Sequence, residues 1–338
     1  MRATNWVGDA VMSLPALRAI RERFPQARIA VLALDWVADL YARETFADEV
    51  IPYTARRGAT DWRGKWRLAA GLRERSFDGA ILLQNAFEAA LVAFLAGIPV
   101  RAGYARDGRG PLLTHAIPVP RKGEIPRHES FYYLELLRRA GLAGPLPQQP
   151  LIRLEGAPAA REAGRTRFAR LGVTGPVTGV SPGAAYGTAK RWLPERFAEA
   201  ASIVARERGT SVALFGSGGE RALCETVAEV LRSLHVPCRN FAGETSLGEF
   251  IGMAAACEVM LTNDSGAMHI ASALGTPTVA VFGPTDHVAT GPTGPLARVV
   301  REEVECAPCL LRDCPIDHRC MTGVSAERVA RTALELLR

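Results

Sequence analysis

Lysine is scarce in this chain. Among 41 Lys+Arg only Lys65, Lys122 and Lys190 are lysines, so the formal charge of +6 rests on arginine. Long apolar runs are missing as well. The longest nearly uncharged stretch, Ala89 to Val100, is well short of the ~20 residues a membrane-spanning helix needs. No apolar h-region opens the chain. Integral-membrane and exported readings are therefore not expected, and the cytoplasm is the default compartment. Aromatics make up 7% and do not interleave with basic residues, and no zinc-finger spacing occurs, so no nucleic-acid partner is expected. The GxxxxGK[ST] phosphate loop is absent. With no low-complexity tract, 48% hydrophobic and 22% charged residues over 338 positions describe a folded protein of two domains, each long enough for its own core.

Strand-like apolar runs alternate with helical patterns, which predicts parallel α/β sheets. Val11, Leu14, Leu17, Ile20 and Phe24 recur at helical spacing up to a stop at Pro25. Strands are expected over 28–34 and 79–83, with a helix over 88–96. A Gly-, Pro- and Gln-rich stretch over 141–150 reads as a linker and places the domain boundary near 150. Beyond it, strands are expected over 177–181, 210–215, 259–262 and 278–282. A capping box, Ser246…Glu249, opens one of the helices between them, and a last helix begins near Ser325. The pattern implies two Rossmann-like domains facing across a cleft, with ligands beyond the carboxyl ends of the strands.

The turns at those strand ends carry the chemistry. In Trp6-Val7-Gly8-Asp9, Asp9 reads either as a helix cap or as a carboxylate beside a ligand, which Gly8 allows to approach closely. Pro182 to Trp192 contains Tyr186, Gly187, Thr188 and the pair Lys190-Arg191. Glycines, a hydroxyl and fixed cations on a strand-to-helix turn suit a diphosphate; a solvated Lys-Arg pair is the plainer alternative. Thr262 to His269 offers Gly266 and free N–H groups at a helix start. There Asp264 orients N–H groups or accepts a sugar hydroxyl, and His269 is a ligand contact or a core histidine. Phe215 to Glu220 resembles half of a dinucleotide fingerprint, with Glu220 placed to hold ribose hydroxyls. Arginine clusters at Arg56-Arg57, over 63–75 and over 101–109 suit a phosphorylated or acidic partner, or simply a solvated surface.

Together these segments resemble the heptosyltransferases of glycosyltransferase family 9, which build the lipopolysaccharide inner core, nearest their ADP-heptose-dependent type II. The resemblance is carried by Asn5-Trp6-Val7-Gly8-Asp9, Ala96-Gly97-Ile98-Pro99, Pro182-Gly183-Ala184 through Lys190-Arg191-Trp192, Thr262 to Gly266 with Met268-His269, and Phe282-Gly283-Pro284-Thr285. It implies a GT-B fold, an acceptor-binding domain over 1–150 and an ADP-heptose-binding domain over 151–324. A terminal helix over 325–338 is expected to cross back to the first domain. The implied reaction is an inverting transfer with no obligatory metal, although divalent ions can stimulate it.

Carried over by position, Asp9 matches the proposed catalytic base and Lys190 the lysine at the donor diphosphate. Tyr186, Gly187 and Thr188 line the same loop, and Asp264, Ser265, Gly266 and His269 match the donor-binding loop. Glu220 is a looser match to a ribose-contacting glutamate. Asn5, Arg101, Arg106 and Arg109 are expected to meet phosphate and carboxylate on the acceptor. Lys190→Ala is expected to weaken donor binding without disturbing the fold. The partners implied are ADP-heptose and a lipopolysaccharide acceptor, met by peripheral contact at the inner face of the inner membrane. Rival readings are a type I or III heptosyltransferase, a nucleotide-sugar epimerase and a non-catalytic nucleotide-binding protein.

Two features depart from or extend that pattern. Only Met1 to Thr4 precede the Asn5 turn where the family carries an apolar first strand, so either the start is miscalled or strand one is stunted. An upstream apolar extension is expected to raise the melting temperature. Cys306, Cys309, Cys314 and Cys320 follow a C-x2-C-x4-C-x5-C spacing unlike the paired C-x2-C halves of structural zinc sites. The expectation is reduced or opportunistically oxidised thiols, no zinc or iron, and a segment dispensable for chemistry. Cys224, Cys238 and Cys257 are expected in the core.

Overall fold

A computed structural model describes residues 1–54 and 61–338. The chain forms two compact units, Met1–Pro150 and Leu151–Arg338. Arg56-Arg57 lie outside the described residues.

The first unit holds β1 (Ala30–Leu34), β2 (Glu49–Tyr53), β3 (Gly79–Leu82), β4 (Val100–Tyr104) and β5 (His115–Ile117). β1 pairs with β2, and β3–β4–β5 pair in sequence, all parallel. Residues 1–3 join these two sets. Arg2 bridges Leu32 of β1 and Leu82 of β3, through Arg2 N–H to Ile81 O (2.8 Å), Leu83 N–H to Arg2 O (3.1 Å) and Ala3 N–H to Leu32 O (3.0 Å). This short segment therefore occupies the centre of the sheet. A cavity of about 230 Å³ lies beside it, lined by residues including Ile29, Ala30, Leu72, Phe77 and Gly79. The helical pattern over 11–24 forms two helices instead of one, Val7–Met12 and Leu14–Arg23. Pro15 has no N–H to continue the ladder, so the break falls at Ser13.

The second unit adds β6 (Val177–Ser181), β7 (Ser211–Leu214), β8 (Cys238–Asn240), β9 (Val259–Asn263), β10 (Thr278–Phe282) and β11 (Ala297–Arg301). They form one parallel sheet in the order β11-β10-β9-β6-β7-β8. β6, β9 and β10 are buried along their whole length, as a sheet covered on both faces requires. The terminal helix Ala326–Leu336, capped by Ser325, belongs to the second unit. Its Val329, Ala330 and Ala333 pack into the second unit's core with Phe197 and Val204 of the helix Pro194–Arg208. Burial of its apolar stripe decides its place.

Helices Ala157–Arg170 and Leu247–Ala256 meet backbone to backbone at Gly164 and Gly252. A Cβ on Gly164 would lie 1.9 Å from Gly252 O. Helix propensity alone favours Gly164→Ala by about 1 kcal/mol, but forcing two packed helices apart costs about 1–3 kcal/mol. The substitution is expected to lower the melting temperature, as thermal unfolding by circular dichroism would show; an unchanged or higher value would mean the helices separate freely.

Candidate active site

In each sheet the chain leaves the central strand to one side and returns to the other, and ligands bind at such switch points beyond the carboxyl ends. In the second unit the switch lies between β6 and β9. The turn after β6 carries Lys190 and the turn after β9 carries Asp264. In the first unit it lies between residues 1–3 and β3, which places the Asn5–Asp9 turn there.

Lys190 donates to Asp264 Oδ2 at 2.6 Å, and Thr285 Oγ1 donates to the same oxygen at 2.6 Å. The pair is largely withdrawn from water, with 13% of the Lys190 side chain and 4% of Asp264 exposed. The Lys-Arg pair is thus not a solvated surface. Asn263 locks the two turns together, accepting from Trp192 N–H at 3.0 Å and donating to Pro182 O at 2.7 Å. Asp264 leads directly to Ser265, the N-cap of the helix Gly266–Ala273, whose first N–H groups have no intrahelical partner. Ser265 Oγ sits 3.1 Å from Thr262 Oγ1. His269, four residues on, is buried and has interactions of its own.

Tyr186, Gly187 and Thr188 hold a contact that the spacing did not announce. Tyr186 O–H donates to Leu310 O (2.8 Å), Thr188 Oγ1 to Asp313 Oδ1 (2.5 Å) and Ala189 N–H to Arg312 O (2.8 Å), while His318 Nε2 lies 2.7 Å from Ala189 O. A Cβ on Gly187 would stand 2.2 Å from Arg312 O, so only glycine permits this approach. The cysteine-bearing segment therefore buttresses the Lys190 turn. Cys306 and Cys309 are exposed, Cys314 is half-buried and Cys320 buried, all as free thiols. Burial pushes Cys320 up to about 11, with the neighbouring thiols adding to it. Among the described residues no group of three or more His, Cys, Asp or Glu is placed to hold a metal. Glu220 closes a capping box, accepting from Ser217 N–H and Oγ at 2.8 Å each through Oε2. Its Oε1 lies against Gly183, where a Cβ would come within 2.0 Å.

Asp9 occupies the first turn of the helix Val7–Met12, whose N-cap is Trp6. It is not the cap. Burial raises the carboxyl of Glu129 from its ordinary value and the charge of Asp9 adds to it; burial likewise raises the phenols of Tyr41 and Tyr133, with Asp9 contributing less. Glu129 is a neighbour that sequence reasoning missed, since it lies 120 residues away with no motif around it. Asn5 accepts from Arg2 at 2.7 Å through Oδ1, and its carbonyl accepts from Trp36 Nε1 at 3.1 Å.

The three arginines separate. Arg106 follows the carboxyl end of β4 with its side chain about half exposed beside Asp107, its guanidinium raised by hydrogen bonding to Tyr132. Arg101 lies near the opposite, amino end of β4. It donates to Leu112 O (2.7 Å) and Ile98 O and packs over Phe94, so it braces the strand. Arg109 is 0% exposed and pushed down to about 10 by burial. It donates to Tyr104 O (2.8 Å), Gln84 O and Asn85 Oδ1 (3.2 Å), tying down the turn after β3. Arg109→Ala strands those acceptors and is expected to cost about 2–4 kcal/mol of stability. Lysine should not rescue it, because one ammonium cannot span the fork. Denaturant unfolding checks this; full stability with a raised acceptor KM would return Arg109 to the acceptor site.

Comparison with known proteins accords with this geometry. The chain is 37% identical over 306 residues to lipopolysaccharide heptosyltransferase 2 of Escherichia coli K12, covering 88% of this chain and 86% of that protein. It is 32% identical over 310 residues to lipooligosaccharide heptosyltransferase 2 of Haemophilus influenzae, with the same shares covered. The structure of E. coli ADP-heptose lps heptosyltransferase II superposes with a TM-score of 0.83 at 32% identity, over 99% of this chain and 97% of that one, which makes the fold GT-B. The model of glycosyltransferase family 9 (heptosyltransferase) matches residues 65–319, and the chain belongs to that family.

Proposed function

We propose that the protein transfers a heptose, with inversion, from ADP-L-glycero-D-manno-heptose to the inner core of lipopolysaccharide, adding the second heptose. The observation that carries this reading is the Lys190–Asp264 pair at the β6/β9 switch point, beside the helix start at Gly266. Lys190 and those N–H groups stabilise the negative charge that develops on the departing diphosphate. Asp264 fixes the ammonium, and Tyr186, Gly187 and Thr188 shape the loop around it. Glu220 takes a ribose hydroxyl through Oε1, with His269 behind the phosphate-binding helix start. Asp9 accepts the proton of the attacking acceptor hydroxyl, and the sugar passes through an oxocarbenium-like transition state. Asn5 and Arg106 meet the anionic acceptor. The protein's own groups carry the leaving-group charge, so no resident metal is required.

The acceptor is a glycolipid, which places the reaction at the inner face of the inner membrane through peripheral contact. Among the described residues no helix is long and apolar enough to cross a membrane. The test is turnover of ADP-heptose with lipopolysaccharide cores truncated before the first, second or third heptose. ADP release with the core that carries one heptose alone is the expected result. Turnover only with the heptose-free core, or only with the core carrying two, would reassign the position, and no turnover with any core would overturn the reading.

A further inference from the structure

A second cation stands beside the Lys190 turn, and among the described residues no carboxylate pairs with it. Arg312 places its Cζ 5.4 Å from the centre of the Tyr186 ring, and Lys190 Nζ lies 4.9 Å from the same centre. The two cations differ in one respect. Lys190 is paired with Asp264, whereas among the described residues no carboxylate lies within salt-bridge distance of Arg312. Its exposed side chain and ring contact leave the guanidinium donors open to a ligand. The backbone of Arg312 is fixed independently of its side chain, by Ala189 N–H on its carbonyl and by the close approach to Gly187.

A diphosphate reaching Lys190 meets an ammonium already neutralised by Asp264, so the pair as a whole contributes little net charge. An uncompensated guanidinium beside it changes that balance, and its planar fork suits paired phosphate oxygens. The ring face of Tyr186, itself anchored through its hydroxyl to Leu310 O, holds both cations by cation–π attraction. We propose that Arg312 is a second cation of the donor site, binding the diphosphate of the nucleotide sugar from the cysteine-bearing segment. This rests on the reading that an ADP-sugar binds at Lys190.

Calorimetric titration of ADP and of adenosine into wild type, R312Q and R312K separates the possibilities. R312Q is expected to weaken ADP binding about tenfold, the size of one exposed charge-assisted contact, and to leave adenosine binding unchanged. R312K should recover part of the ADP affinity, and the salt dependence of ADP binding should flatten in R312Q. The ligand-free melting temperature should stay at the wild-type value, because the backbone contacts to the turn remain. ADP affinity equal to wild type in R312Q overturns the role of Arg312, and so does an equal loss for adenosine and ADP, which marks a structural effect. If R312Q melts low, R312K decides: wild-type melting with no salt-sensitive gain in ADP affinity over R312Q also overturns it. A wild type that binds no ADP overturns the donor-site reading itself.

Discussion

Asp9→Asn is expected to slow heptose transfer by about 10²–10⁴-fold, the usual worth of a positioned general base, while ADP affinity stays at the wild-type value. Asp9 lies in the first unit and the proposed donor groups in the second, so the two effects separate cleanly. Trp6 is the N-cap, so the carboxylate does not cap the helix, and its place near the positive end of a short helix is worth about 0.3–1 kcal/mol. Its removal also relieves the like charge that adds to the raising of Glu129, which offsets part of that cost. The measurement is ADP release at saturating acceptor, alongside ADP affinity and thermal unfolding. A variant that keeps most of its turnover would reduce Asp9 to a first-turn charge and leave the mechanism without a base.

Lys190→Ala carries the second large effect, and on two quantities at once. Removing the ammonium strands Asp264, which is 4% exposed, with Thr285 as its remaining side-chain donor. Breaking a fully buried pair costs about 3–5 kcal/mol; residual solvent at Lys190 and the Thr285 hydroxyl bring the expected loss to about 2–4 kcal/mol. Transfer should fall by roughly 10²-fold or more, as for loss of a group that meets developing charge. The expectation of an intact fold, reasonable for a solvated lysine, does not survive the pairing. Lys190→Ala combined with Asp264→Asn separates the two roles. The double variant should regain most of the lost stability, because no buried charge is left unpaired, yet transfer should remain slow. Recovery of turnover together with stability would show that Lys190 serves only to neutralise Asp264.

Much of the architecture was legible before any coordinates. β6 and β10 match their expected bounds, and β9 differs by one residue, because fully buried parallel strands write themselves as unbroken apolar runs. The Ser246–Glu249 capping box also formed, with Glu249 N–H on Ser246 Oγ at 3.2 Å. The strands left unread have weaker patterns. β8 spans three residues and β11 is partly exposed, both at sheet edges. β2, another edge strand, contains Pro52, which only an edge tolerates. β4 carries Arg101 and Gly103 inside the sheet, and β5 is a three-residue edge. A short or half-wet strand has too few apolar positions to register a period.

The sequence by itself determined the family, the parallel α/β plan and the turns where chemistry gathers, because glycines, caps and lone cations at strand ends are local features. Only the tertiary structure decided what each charged group does. Arg101, Arg106 and Arg109 stand within nine residues, yet one braces the start of a strand, one reaches solvent and one is sealed inside the fold. Lys190 and Asp264 are 74 residues apart, and Thr188 and Asp313 125 apart. No spacing along the chain encodes such pairings. They follow from the sheet order that brings β6 beside β9 and from the close packing that lets a cysteine-bearing segment rest on Gly187.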